Sequence, residues 1–242
     1  MRRAISFCLL FGSFFAIFNC SKQTNAIDVK PSPVRLVQMS GDDVEIERGI
    51  DAVSDKDAIR IEWMPNDEDD VAGYEIYRSL DDKNGQYNQL IAYPALSVAD
   101  SAYVDEGVLL QHRYFYYLVA VTFDRVRSEP SDTVDYQIIS KAINLLPQGD
   151  GANRKPEFSW EDPNGEDGYR IRVIDPASDE TIWISSLIAS TYSNREQVDY
   201  NFDSKATMDS LQSGAEYHWR VDVISAKTHC GSESRWVTFR VQ

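Results

Sequence analysis

The chain repeats one pattern of strand-length segments twice, in the same order. Ala58-Ile59-Arg60-Ile61-Glu62-Trp63 alternates strictly, so Ile59, Ile61 and Trp63 share one face. Gly73-Tyr74-Glu75-Ile76-Tyr77-Arg78 follows with Tyr74 and Ile76 inward, and Tyr114 to Val121 adds a long strand facing inward with Tyr114, Tyr116, Leu118 and Ala120. Asp81-Asp82-Lys83-Asn84-Gly85 carries the Asn-Gly signal of a hairpin connection. The second set is Phe158-Ser159-Trp160, then Gly168-Tyr169-Arg170-Ile171-Arg172-Val173, then Tyr217 to Val223. An apolar residue, Val108 or Leu211, stands six positions before each long-strand tyrosine. A repeat of this period specifies two similar domains, over 32–138 and 143–242, joined by a short linker near Ile138 to Ile143. No segment keeps a helical period, and the fold class expected is all-β, as two tandem β-sandwiches.

These residues resemble fibronectin type III modules, a family with the immunoglobulin-like fold. The resemblance rests on a strand-B tryptophan (Trp63, Trp160), a strand-C tyrosine (Tyr74, Tyr169) and a tyrosine corner opening strand F. The corner reads Leu211, Gly214, Tyr217 in the second copy; the first departs, with Val108 for the leucine and Gln111 where the glycine would stand. Ser128-Glu129-Pro130-Ser131, entering strand G, adds to it. Such modules serve as spacers, adhesins and enzyme appendages, so the resemblance implies a fold and leaves the function open.

Ahead of the repeat lies a leader. Arg2 and Arg3 precede the largely apolar stretch from Ala4 to Phe18, too short for a comfortable membrane span, and polar Asn19-Cys20-Ser21-Lys22 follows. The place of Cys20 resembles a lipobox, which implies residues 1–20 as a cleaved lipoprotein signal peptide, lipid attachment at Cys20 and a tether over 21–31. Ile17-Phe18-Asn19 departs from the usual lipobox at its two nearest positions. The alternative is ordinary cleavage after Thr24-Asn25-Ala26, giving a soluble secreted protein. Ser21 after the cysteine resembles the outer-membrane sorting default, with the facing of the protein undecided.

With 24 basic and 39 acidic residues the formal charge is −15, which repels polyphosphate and excludes nucleic acid as a partner. His112, His218 and His229 fall at separate places without companion motifs, so no catalytic residue is expected. His229-Cys230 is half a metal site without a second pair of ligands. The acidic loops Asn66 to Asp70 and Asp162 to Gly168 have the chemistry of calcium sites but not the ligand spacing; solvated turns, no metal and no cofactor are expected. Val44 to Asp51, inside an overlong connection from Gly41 to Lys56, alternates enough for a short edge strand, with a binding loop as the alternative.

One candidate face remains. Alternation turns Arg170 and Arg172 outward on strand C, His218, Arg220 and Asp222 outward on strand F, and Trp236 outward on strand G. Trp236 is expected over the Arg220 guanidinium, with Arg172 beside it. The set Trp236, Arg220, Arg172, Arg170 and Trp183 is therefore a candidate ligand face or a structural ladder. Its stacking resembles the tryptophan–arginine ladder of cytokine-receptor fibronectin modules. The function expected is a non-catalytic binding or scaffold lipoprotein of the cell envelope, its partner an envelope protein or a surface glycan. The alternatives are a carbohydrate-capture accessory module with exposed tryptophans, or a soluble secreted adhesin.

Overall fold

The computed structural model describes residues 29–242, so Cys20 and the rest of the leader lie outside the described residues. In the first half the alternating segments form β1 (Arg35–Leu36), β2 (Asp51–Ala52), β3 (Ile59–Met64), β4 (Val71–Leu80), β5 (Asn88–Ser97), β6 (Ala102–Asp105), β7 (Arg113–Thr122) and β8 (Val134–Ile138). β1 and β2 pair with opposite ends of one edge of β3, and β6 pairs with its other edge. The facing sheet runs β5-β4-β7-β8. Their inner faces bury Ile59, Ile61, Trp63, Tyr74, Ile76, Tyr116, Leu118 and Ala120 in one cluster.

The second half repeats the plan. It contains β9 (Ile143–Leu146), β10 (Gly149–Ala152), β11 (Glu157–Glu161), β12 (Gly168–Asp175), β13 (Glu180–Ile184), β14 (Ile188–Ala189), β15 (Glu196–Asp199), β16 (Glu216–Ile224), β17 (Cys230–Glu233) and β18 (Val237–Val241). One sheet is β9-β11-β15; in the other β12 pairs with β13, β14 and β16, and β16 with β17 and β18. The tryptophan–tyrosine contact recurs almost unchanged: Trp63 meets Tyr74 at 5.4 Å and Trp160 meets Tyr169 at 5.1 Å, both at 67° between ring planes. The described residues are thus all-β, two tandem immunoglobulin-like sandwiches.

Both tyrosine corners close. The Tyr217 hydroxyl accepts the Gln212 amide at 3.1 Å, and the Tyr114 hydroxyl accepts the Leu109 amide at 2.8 Å. Gly214 has φ +81° and Gln111 has φ +68°, so the departing residue takes the backbone shape the glycine would have had.

The halves are not beads on a linker. β17 pairs in parallel with β8, matching Cys230 to Gln137 and Gly231 to Ile138, so one sheet crosses from the first sandwich into the second. The Gln137 amide donates to His229 carbonyl oxygen at 2.8 Å and the Ile139 amide to Gly231 at 3.2 Å. A Cβ on Gly231 would meet Val223 oxygen at 2.9 Å, which explains a glycine at this crossing. The short linker read from sequence is buried at Ile139 and Ala142, both within the second core cluster.

Candidate functional site

The arginine face of the second sandwich is the most highly charged buried place among the described residues. In-register pairing sets Arg172 of β12 against Arg220 of β16, with Asp222 two residues further on. Strand alternation turns all three away from their own core, as the sequence predicts. The face is not wet, however: Arg172 is 4% exposed and Arg220 6%. What covers it is the 41–52 segment of the first sandwich. Of the expected edge strand, Val44 to Asp51, only the last residue lies in a strand (β2, Asp51–Ala52), and the residues before it run as turns and bends onto the neighbouring sandwich. The binding-loop alternative therefore describes this segment better, with the second sandwich as what it binds.

Backbone and side chain share the docking. Arg172 donates to Val44 and Asp42 carbonyl oxygens, each at 2.8 Å, and to the Glu47 carboxylate. Glu47 also receives Arg220 at 2.6 Å. Asp222 holds Arg172 Nε at 2.9 Å, and Glu233 takes Arg220 at 2.5 Å. From the linker, Lys141 Nζ ties Val53 oxygen of one sandwich at 2.6 Å to Glu233 oxygen of the other at 2.7 Å. Gly49 lets the segment turn: its φ is +89° and a Cβ would lie 2.7 Å from Met39 backbone.

Trp236 sits half-buried with Arg220 Cζ 5.1 Å from its ring centroid, the ladder contact the alternation implies. Arg170 donates to Ser185 carbonyl oxygen at the margin of the face. Trp183 does not belong there. In register with inward Val173 it points to the core, is 1% exposed, packs edge-on to Tyr200 at 5.5 Å, and donates to Asp203 at 2.9 Å. The set is a ladder and an intramolecular docking face, not an open ligand platform.

Beside the ion pairs a cavity of about 100 Å³ lies between the sandwiches. Carboxylate oxygens of Asp42, Glu47 and Asp51 approach within 4.8 Å of one another there. Asp51 is pushed up to about 7, first by burial and then by the Glu47 charge. Glu233 is pushed up to about 9 by burial despite its bond to Arg220, a guanidinium it shares with Glu47 and Asp222. Burial also raises Glu47 and Asp42, with the Asp222 charge adding to both. Sequence reasoning did not pick out these acids: Asp42, Glu47 and Asp51 are gathered by the irregular path of the 41–52 segment, and Glu233 and Asp222 join them from the second sandwich.

The other sequence candidates are used locally. In the acidic loops, Asp162 accepts the Asn164 and Glu166 amides at 2.9 and 2.8 Å and the Tyr169 hydroxyl at 2.9 Å. Glu68 accepts the Ser32 amide at 2.8 Å, which lowers its carboxyl to about 2. These carboxylates order their own turns. Cys230 is buried, and burial raises its thiol. His229 lies 3.5 Å from Asp135, and His112 2.6 Å from Asp81. On the outer face of the first sandwich, Tyr77 stacks on Tyr117 at 4.9 Å and 13°, and Tyr87 leans on Tyr117 at 4.9 Å. Stacked this way the rings cover one another's faces.

No protein family and no curated protein matches the chain. Among solved structures it is similar to the FN1-FN3 domains of chicken CNTN1, at 14% identity and a TM-score of 0.32, covering 88% of this chain and 68% of that one. It is also similar to a two-domain fibronectin type III segment from chicken tenascin, at 12% identity and a TM-score of 0.32, covering 87% and 97%.

Proposed function

We propose that this protein is a non-catalytic binding or scaffold protein of the cell envelope, anchored by lipid at Cys20 and offering an envelope protein two sandwiches fixed as one body. The observation that carries the reading is the docked junction. A flexible spacer gains nothing from burying Arg172 and Arg220, whose desolvation costs several kcal/mol each before pairing. A scaffold that must hold two surfaces at a set angle does gain.

The glycan-capture alternative, with exposed tryptophans stacking sugars, requires aromatic side chains clustered flat on the surface, and the outer tyrosines Tyr77, Tyr87 and Tyr117 stack on one another instead. Trp63, Trp160, Trp183 and Trp219 are all in the cores, and Trp236 is occupied by Arg220. The protein partner is therefore favoured over a sugar.

Fractionation tests the anchor. Wild-type protein should enter the detergent-extracted membrane fraction and carry acyl mass, whereas Cys20→Ser should be soluble. A serine variant that stays in the membrane, or wild type without acyl mass, would remove lipid anchoring from the proposal. Retention of residues 29–242 by one sugar class on a glycan array would replace the protein partner with a glycan.

A further inference from the structure

We infer that the junction is a proton-operated clamp: Asp51 holds a proton when the 41–52 segment is docked on Arg172 and Arg220, and the sandwiches loosen as the medium turns alkaline. The inference is independent of what the protein binds.

The geometry leaves Asp51 without a cation. Its side chain is 9% exposed, one oxygen accepts the Ala52 amide at 2.8 Å, and the Tyr136 hydroxyl from β8 lies against it. Arg60, opposite it on β3, donates to Glu62 instead. From its own segment Asp51 faces Glu47 and Asp42, both acidic. From β12 and β16 come Arg172, Arg220 and Asp222, with each guanidinium bonded to Asp222 and Glu47. From β17 comes Glu233, already on Arg220, and the linker's Lys141 is spent on two carbonyl oxygens. Lys227 and His229 line the far part of the same cavity. Glu47 takes the arginines as an anion, so a second buried anion at Asp51 would stand against it without relief. A proton on Asp51 removes that repulsion.

The sign follows from linkage. Asp51 in an undocked segment returns towards its ordinary value of 3.8, and docking raises it to about 7. The docked form therefore binds the proton more tightly. Its contribution to docking is whole below the ordinary carboxyl range and is lost as pH rises through about 7. Across that interval one linked proton changes the docking equilibrium about tenfold per pH unit. Glu233, raised to about 9, extends the loss to higher pH.

Hydrogen exchange of the full chain from about pH 5 to about pH 9 tests the clamp, after correction for intrinsic exchange, with near-ultraviolet circular dichroism reporting that both cores stay folded. The amides of Gln137 and Ile139 are the probes, because their acceptors, His229 and Gly231, lie across the junction. The expected result is protection that falls with rising pH in wild type and falls less steeply below about pH 7 in Asp51→Asn, a neutral mimic of the protonated acid in which only the Glu233 share remains. Asp42→Asn, at a more exposed position that should leave folding intact, removes a charge that helps to raise Asp51, so the loss of protection should be smaller and should end at lower pH. The clamp is overturned if wild-type protection does not depend on pH, or if Asp42→Asn leaves the dependence where it is. It is equally overturned if His229→Asn abolishes the dependence, or if alkaline docking requires calcium and fails with chelator.

Discussion

Gln111 shows how far a single residue can depart from a motif without changing the structure. It stands where the second sandwich has Gly214, and its sequence reads as a broken tyrosine corner. The Tyr114 corner nonetheless closes at 2.8 Å because the surrounding hydrogen bonds, including the Gln111 amide to Ile138 oxygen at 2.8 Å, hold φ at +68°. A side chain in that region costs about 1–2 kcal/mol, of which glycine's greater unfolded freedom takes back part. Gln111→Gly should therefore raise stability by about 0.5–1 kcal/mol, read as a higher urea midpoint at an unchanged slope. A lower midpoint would mean that the Gln111 side chain contributes more than its backbone costs.

At the scale of elements, period-two alternation located the strands and sorted their faces correctly. Ile59, Ile61, Tyr169, Ile171, Tyr217 and Trp219 are all buried, and Arg172, Arg220 and Trp236 all leave the core side. Alternation reports only which side of its own sheet a residue takes. It carries no information on what else packs there, so the burial of Arg172 by a segment 130 residues earlier was not legible. The same limit hid the acid cluster at the junction, whereas Trp183 was placed on the wrong side because its inward direction follows from its pairing register with Val173, which the sequence does not print. The docking element can be probed at its centre. Glu47→Ala leaves two buried guanidiniums short of an anion and should cost about 3–5 kcal/mol. The loss should appear as faster exchange at Val44 to Ala52 and at Gln137 and Ile139, with the Trp160 core amides little changed. Uniformly faster exchange in both cores would contradict a local docking role.

For the whole molecule, the shared sheet and the buried linker bear on cooperativity. Independent modules would melt one at a time, but here the first core ends at Ile138 and the second begins at Ile139, both buried. Trp160→Ala removes a fully buried ring and should cost about 3–5 kcal/mol. Both sandwiches should then unfold in one transition at a lower denaturant midpoint, with fluorescence and hydrogen exchange in the first sandwich following the second. Two separate transitions in the variant would show that the β8–β17 contact does not couple the cores.

That contact also bears on how such a chain can change by recombination. A string of loosely joined sandwiches can gain or lose a member by duplication or deletion, since every cut falls in solvent. A cut between β8 and β17 instead opens a paired rung into two bare strand edges, uncovers Cys230, and strands Arg172 and Arg220 without Glu47. The smallest heritable part of this protein is the pair of sandwiches.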